Sequence, residues 1–140
     1  MITVSAVIPT LEAEHTLEST MASVKGYVDE IVVCDGMSLD NTVAVAEEFG
    51  AKVVIGDRGR GQQMHCGVEV ATGDWLLLLH ADTILEDGWV KEMRQFIARE
   101  HGKAAVFRFA LDDFGLVLSL PDWFWPVSYT HLTLPTTPYV

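Results

Sequence analysis

His80 and Asp82 are the first side chains in this sequence whose types and spacing suggest chemistry. Residues two apart in an extended segment point the same way, so both side chains could face one ligand. A carboxylate suits Mg²⁺ or Mn²⁺, and an imidazole suits Mn²⁺ or softer metals. The alternative is structural: Asp82 caps the next turn and His80 is the polar end of a strand. A motif this short does not separate the two interpretations.

The residues in front of this pair indicate where it lies in a fold. Residues 75–79 are all apolar, and Gly73 and Asp74 precede them. A short apolar run without alternation is typical of a strand buried on both faces of a mostly parallel sheet. His80 and Asp82 would then lie at the carboxyl end of that strand, where open α/β sheets bind ligands.

A second carboxylate, Asp35, follows another short apolar segment, 30–34, and precedes Gly36. Gly36 permits a tight turn. Ser38 and Asp40 are explained by capping of a helix predicted at 41–49. Capping does not require a carboxylate at the strand end before a glycine, so Asp35 is a candidate ligand-binding residue.

A basic, glycine-rich turn at residues 56–61 follows a third predicted strand and contains Arg58 and Arg60. Glycines allow close approach of the backbone, arginines match phosphate oxygens, and the start of a helix favours anions. We therefore interpret the turn as a phosphate contact rather than a solvated loop. It is not a Walker loop, and no Gly-x-Gly-x-x-Gly motif follows the first strand.

The remaining pattern predicts strands alternating with helices, joined by short connections. This order is typical of an α/β fold with a parallel, doubly wound sheet, in which the polar strand ends converge on one edge. The predicted strands are 1–8, ending at Pro9, then 30–34, 51–55, 75–79 and 104–111, and the predicted helices are 13–25, 41–49, 62–71 and 88–100.

Composition narrows the class of protein. A chain of 140 residues predicts one domain, and the net charge of −11 argues against nucleic acid or an anionic membrane as a general surface partner. No secretory signal and no run of ~18 apolar residues is recognised, which leaves peripheral membrane association open. Cys34 and Cys66 lack metal-type spacing, so we expect free thiols and a cytoplasmic location.

Four segments of the chain together resemble the family-2 glycosyltransferases of GT-A fold, in the subgroup with an Arg-Gly-Arg turn and a His-Ala-Asp triplet. The segments are 8–11, 33–42, 58–64 and 79–83, in order, within a similarity that covers about residues 2 to 111. The resemblance implies a GT-A (nucleotide-diphospho-sugar transferase-like), Rossmann-type, mostly parallel sheet, truncated after about five strands. It also implies transfer of a sugar from a nucleotide-sugar donor to an acceptor that the sequence does not identify.

The resemblance assigns roles to individual residues. His80-Ala81-Asp82 takes the place of an Asp-x-Asp motif, with Asp82 the ligand of Mg²⁺ or Mn²⁺ and His80 beside it. The ion would neutralise the charge on the leaving nucleoside diphosphate. The residues that would bind the nucleoside or its phosphates are Pro9, Thr10, Glu12, Asp35, Gly36, Arg58, Arg60 and Met64.

Three positions depart from the family pattern. Glu12 stands where the family usually has Asn, and His65 stands where it often has Asn. His80 replaces the first Asp of Asp-x-Asp, as it does in the subgroup. These departures weaken the individual assignments but leave Asp82 unaffected.

The family continues past residue 111 into an acceptor-binding half that carries the catalytic base. Here the match fades after 111–113, so the base is unknown, and Asp112 and Asp113 are candidates only by elimination. We therefore expect residues 1–112 to be the donor- and metal-binding part and 113–126 to begin the missing half. Loss of that half should leave apolar side chains exposed, namely Phe107, Phe109, Trp123 and Trp125.

The last segment, 127–140, contains no Asp, Glu, Lys or Arg and resembles a translated sequencing adapter. We therefore expect a non-native tail on an amino-terminal fragment, and loss of the base would leave the fragment itself inactive. The alternative is a genuine Thr/Pro-rich tail that forms an edge strand. Two other functions remain as alternatives to a glycosyltransferase: a metal-dependent nucleotidyltransferase and a non-catalytic nucleotide-binding module.

Overall fold

The computed structural model describes residues 1–100, 103–106 and 131–133. These residues form an α/β structure in which strands and helices alternate as the sequence predicts. The elements are β1 (Val4–Thr10), α1 (Leu17–Val24), β2 (Glu30–Asp35), α2 (Thr42–Phe49), β3 (Lys52–Ile55), α3 (Arg60–Val70), β4 (Trp75–Leu78), α4 (Trp89–Arg99), β5 (Ala105–Val106) and β6 (His131–Thr133).

The strands form one mixed sheet in the order β3-β2-β1-β4-β6-β5. The first four strands are parallel, which confirms the predicted mostly parallel sheet. The chain passes from β1 outward to β2 and β3, and then crosses back to place β4 on the other side of β1. This reversal next to β1 is the topological switch point at which open α/β sheets bind ligands.

The far side of the sheet differs from the prediction. A fifth parallel strand was expected over 104–111, but β5 joins the sheet through β6, which is antiparallel to both β4 and β5. Residues 107–111 lie outside the described part of the chain. β6 belongs to the segment 127–140, and it lies inside the sheet rather than at its edge. The non-native origin of that segment stays a prediction.

Helices cover both faces of the sheet, because the buried strands carry apolar side chains on both faces. Val4, Ala6 and Ile8 of β1 point to one face, where α1, α2 and α4 pack. Val7 points to the other face, which α3 covers. The helix residues buried on the first face are Leu17, Met21, Val24, Ala46, Trp89, Met93 and Ile97.

Strand β1 does not end at Pro9, as the sequence suggested, but continues through it to Thr10. The carbonyl of Val7 accepts from Leu79 on the β4 side of β1, and that of Thr10 accepts from Gly36 on the β2 side. Residues two apart bond to the same side, so Pro9 faces the β4 side. The pairing with β4 ends at Val7, and the amide that proline lacks therefore has no strand partner to lose.

The amino-terminal edge of the sheet is held by a network around Glu30. Its Oε1 accepts hydrogen bonds from the Ser5 hydroxyl (2.6 Å) and from the amide and hydroxyl of Thr72. The Ser5 Oγ also accepts from the Gly73 amide at 2.7 Å. A Cβ on Gly73 would lie 2.5 Å from that Oγ, so only glycine fits this approach. The network joins β1, β2 and the segment that leads into β4.

We predict that Glu30 makes stability depend on pH. Partial burial acts to raise the pKa of its carboxyl, but hydrogen bonds from Ser5 and Thr72 and the charge of Lys52 lower it overall from the ordinary 4.5. Its contribution is therefore present above pH 4.5 and is lost as the pH falls through the lowered pKa. Glu30→Gln should reduce the free energy of unfolding at pH 7 by about 1 kcal/mol.

Urea denaturation at several pH values checks this prediction. The gap between wild type and Glu30→Gln should shrink below pH 4.5. Glu48→Gln, on the exposed side of α2, is the matched control and should follow wild type throughout. A gap that stays constant down to pH 3 would show that ionisation of Glu30 does not contribute.

Among the described residues, no helix is both long enough and apolar enough to cross a membrane.

Candidate functional site

The carboxyl ends of β1, β2 and β4 meet at one edge of the sheet. Thr10 at the end of β1 is in register with Asp35 at the end of β2. The Leu79 amide donates to the Val7 carbonyl and places the start of the His80 turn beside β1. The structure therefore brings three of the predicted polar strand ends together.

Asp35 is completely buried, and its carboxylate organises this edge. It accepts hydrogen bonds from the Thr10 hydroxyl (2.8 Å), the Ser38 amide (2.7 Å) and the Ser38 hydroxyl (2.6 Å). A carboxylate offers about four acceptor positions, and these bonds use three of them. Asp35 thus fixes the loop after β2 onto the end of β1.

The loop after β1 is fastened to the same region through three successive amides. Those of Glu12, Ala13 and Glu14 donate to the side chains of Ser38 (2.9 Å), Thr42 (2.8 Å) and Asp40 (3.2 Å), respectively. These bonds fix residues 12–14 against the loop after β2. Helix α1 begins at Leu17 rather than at residue 13, after a turn over residues 14–16.

Glu12 has a backbone conformation that side chains rarely adopt, with φ 52°. Its Oε1 accepts from the Leu39 amide at 2.6 Å, which ties the two loops together once more. Asparagine tolerates this left-handed region better than most residues. The bond from the Leu39 amide holds the Glu12 side chain in this conformation.

Asp40 bonds to the start of α2, as predicted, but from the residue before the N-cap, which is Asn41. The Asp40 Oδ1 accepts from the amide of Thr42, the first residue of α2, at 3.0 Å. It also accepts from the Thr42 hydroxyl, and these bonds lower the pKa of the Asp40 carboxyl, with the hydroxyl bond contributing most. Ser38, by contrast, serves Asp35 and the loop after β1 rather than the helix.

Gln63 of α3 is a site residue that the sequence analysis missed. Its side chain is 4% exposed, and its amide nitrogen donates to the carbonyls of Thr10 (2.5 Å) and Cys34 (3.0 Å). A Cβ on Gly36 would lie 3.0 Å from the Gln63 amide group. The closeness of Gln63 thus explains why position 36 is a glycine. Gly36 does not have the positive φ of a tight turn, whereas the next residue, Met37, does.

The basic turn begins at the end of β3 and is joined to β2, because the Gly56 amide donates to the Asp35 carbonyl at 2.9 Å. Helix α3 begins at Arg60, two residues before its predicted start. Arg58 and Arg60 are both exposed near the first turn of α3. Met64, by contrast, is half-buried against the core between α3 and the sheet. Its contact with a nucleotide stays a prediction.

The segment around His80 and Asp82 differs from the prediction in one respect. Strand β4 ends at Leu78, and residues 80–83 form a turn in which the His80 carbonyl accepts from the Thr83 amide at 3.1 Å. Asp82 therefore does not lie in an extended segment, and the rule that residues two apart point the same way does not apply to His80 and Asp82. The buried hydroxyl of Thr20 on α1 donates to the Ala81 carbonyl at 2.9 Å and holds the turn in place. His80 is half-buried and Asp82 is exposed.

No group of three or more His, Cys, Asp or Glu residues in the described part of the chain could hold a metal ion. His80 and Asp82 could supply at most two ligands. Mg²⁺ usually binds through one or two carboxylates together with water and substrate phosphates. The available donors therefore fit an ion that binds together with a phosphate-bearing ligand.

Cys34 and Cys66 are free thiols, as predicted. Burial and the neighbouring Cys66 thiol raise the pKa of Cys34 to about 12. A thiol that stays protonated is a poor nucleophile. The site therefore does not rely on thiol chemistry at Cys34.

Comparisons with known proteins agree with this geometry. The model of the family described as "Glycosyl transferase family 2" matches residues 5–135. An uncharacterized glycosyltransferase of Rickettsia felis is 34% identical over 96 residues, which are 68% of this chain and 34% of that protein. Glucosyl-3-phosphoglycerate synthase of Mycolicibacterium smegmatis is 34% identical over 61% of this chain and 32% of its own length. The chain thus spans about a third of the length of these relatives.

Two solved structures share the fold. Glucosyl-3-phosphoglycerate synthase from Mycobacterium tuberculosis, in complex with Mn²⁺, uridine diphosphate (UDP) and phosphoglyceric acid, is 29% identical over 72% of this chain and 40% of that chain, with a TM-score of 0.62. S. aureus TarS 1-349 is 20% identical over 75% of this chain and 35% of that chain, with a TM-score of 0.63, and supports the fold alone.

Proposed function

The chain belongs to glycosyl transferase family 2, and on that premise we propose that it binds the donor for transfer of a sugar from a nucleotide sugar to an acceptor. The similarity confirms the expected GT-A fold. One observation carries the proposal. The hydrogen-bonded loops after β1 and β2, the basic turn at 56–61 and the exposed carboxylate of Asp82 all lie at the carboxyl edge of the sheet, around its switch point. A nucleoside diphosphate with a divalent ion has parts that match all three.

The nucleoside would bind at the loops after β1 and β2. These loops contain Pro9, Thr10, Glu12, Asp35 and Gly36, and the hydrogen bonds that Asp35 and Glu12 accept fix the loops before any ligand arrives. A preorganised site loses less conformational entropy on binding. Because Asp35 is completely buried, its carboxylate would act on the nucleoside through the loops that it holds in place.

The phosphates would lie toward the basic turn. Arg58 and Arg60 place two guanidinium groups near the start of α3, where the backbone amides of a helix also favour anions. In a chain of net charge −11, this local positive charge is what an anionic donor needs.

A divalent ion would be held by Asp82 and His80 together with phosphate oxygens. When bound, such an ion acts as a Lewis acid that neutralises charge on the leaving nucleoside diphosphate. Mn²⁺ is present with UDP in structures of the mycobacterial synthase. We propose Mn²⁺ or Mg²⁺ here, and the imidazole of His80 favours Mn²⁺.

The chain spans about a third of the length of the relatives that it matches, so we propose donor binding here and leave the acceptor unassigned. Asp112 and Asp113 lie outside the described residues, so the catalytic base stays unassigned. We propose a cytoplasmic location, which the free thiols of Cys34 and Cys66 support. The family match disfavours the nucleotidyltransferase alternative.

Isothermal titration of the 140-residue chain with UDP, uridine monophosphate (UMP) and ADP tests the proposal. We expect UDP to bind only with Mn²⁺ or Mg²⁺, and at least about tenfold more tightly than UMP, because the second phosphate reaches both the ion and the basic turn. UDP binding that a chelator leaves unchanged, or that is no tighter than UMP binding when the ion is present, would contradict the proposal. Comparison of ADP with UDP shows whether the site discriminates between adenine and uracil.

A further inference from the structure

Gln63 joins three segments that are far apart in sequence, namely the ends of β1 and β2 and the basic turn. Its amide nitrogen donates to Thr10 and Cys34, and its Oε1 accepts from the Gly59 amide at 3.4 Å. Each of these segments carries residues that we assign to nucleotide binding. Within the described residues, no other side chain bonds to all three.

The environment of Gln63 shows that this arrangement is built into the fold. The side chain is buried, whereas its neighbour Gln62 is exposed. Gly36 leaves the space that the amide group fills, since an added Cβ would lie 3.0 Å from it. The Thr10 carbonyl accepts from the Gly36 amide as well as from Gln63, so the bridge sits where the two loops separate.

We propose that Gln63 is a positioning residue that sets the distance between the nucleoside loops and the phosphate-binding turn. This inference rests on the proposed function. The Gln63 side chain contacts the backbone carbonyls at the ends of β1 and β2 and need not touch the ligand. Without its amide, the basic turn and the two loops would each remain folded but would lose their fixed relation.

Methionine and glutamate substitutions separate positioning from simple packing. Gln63→Met keeps the volume and removes the hydrogen bonds, and it should weaken binding of UDP with Mn²⁺ by about tenfold. Gln62→Met, one residue away on the exposed side, should bind UDP as wild type does. Circular dichroism confirms in each case that the variant is folded at the temperature of the titration.

Gln63→Glu supplies a signature that a packing role would not give. A carboxylate would face two carbonyl oxygens, so burial and these oxygens should raise the pKa of the introduced group. Once protonated, it donates one hydrogen bond. The affinity of Gln63→Glu relative to wild type should therefore recover as the pH falls from 8 to 6, whereas that of Gln62→Glu, with the same added charge, should stay constant.

Failure of the inference and failure of the proposed function give different results. If wild type binds UDP and folded Gln63→Met binds it equally well, the positioning role is wrong. If wild type does not bind UDP, the proposed function fails, and amide hydrogen exchange decides the inference. Faster exchange at Gly59 and residues 36–39 in Gln63→Met, but not in Gln62→Met, supports the bridge. Unchanged exchange at these amides overturns it.

Discussion

Replacing Asp82 by asparagine should weaken binding of UDP in the presence of Mn²⁺ by at least about 100-fold, because the substitution removes the one carboxylate that we assign to the ion. Asp82 is exposed, so the free energy of unfolding should change by no more than about 0.5 kcal/mol. Titration calorimetry with and without Mn²⁺ measures the loss. The residual affinity of the variant should no longer depend on the ion.

Asp87→Asn is the matched control for this prediction. Asp87 is also exposed, follows β4 in the same connection, and carries the same charge. Its replacement should leave metal-dependent binding within about twofold of wild type, since only screened, long-range electrostatics change. Comparable losses in both variants would indicate a general effect of negative charge rather than a ligand at Asp82.

The second large effect is expected at Asp35. Asparagine can keep its oxygen on the Ser38 amide, but its NH₂ group then faces the hydroxyls of Thr10 and Ser38, which can no longer donate to a charged oxygen and must turn to accept. Loss of these bonds to a buried carboxylate should reduce the free energy of unfolding by about 2 kcal/mol. The loop after β2 should also lose its fixed position, so nucleotide binding should fall with stability.

Urea denaturation followed by tryptophan fluorescence measures the stability loss, and titration measures the binding. Asp57→Asn, an exposed aspartate in the neighbouring turn, provides the comparison and should unfold at the wild-type urea concentration. If Asp35→Asn unfolds at the same urea concentration as wild type and Asp57→Asn, the three hydrogen bonds of Asp35 contribute little to stability.

The order of elements was predictable because the chain alternates short apolar runs with amphipathic stretches. Residues 31–34 and 75–79 are apolar on both sides of the strand, which only a covered sheet explains. Leu17, Met21 and Val24 are spaced four and three residues apart, which predicts the buried face of α1. Convergence of the polar strand ends followed from parallel pairing alone, and the structure brings the ends of β1, β2 and β4 together.

What the sequence could not supply depends on contacts between distant segments. Gln63 lies in a polar stretch that reads as a solvated helix start, and only the packing of α3 under Gly36 buries it. The segment before α1 is likewise held by side chains after β2, which accept from the amides of residues 12–14. Pro9 predicts the end of β1 because proline cannot donate to a strand ladder. The missing amide is harmful only where a neighbouring strand needs it, and the pairing with β4 ends before Pro9.

The turn at His80 to Thr83 shows the same limit on a smaller scale. The apolar run predicted a strand that reaches His80 and Asp82, the proposed metal ligands, but β4 ends at Leu78. The bond from Thr20 to the Ala81 carbonyl comes from a helix about 60 residues earlier in the sequence, and no local pattern signals it. The position of Asp82 is therefore a tertiary property.

The central claim is that a divalent ion binds at Asp82 together with a nucleoside diphosphate. Mn²⁺ is paramagnetic and broadens amide signals near it, so ¹⁵N spectra of the 140-residue chain locate the ion directly. With UDP and substoichiometric Mn²⁺, we expect the signals of residues 80–83 to disappear first, those of Thr10 and Arg60 to weaken, and the effect to vanish in Asp82→Asn. Broadening that is independent of UDP, or that centres on other exposed carboxylates such as Glu47 and Glu48 of α2, would contradict the account.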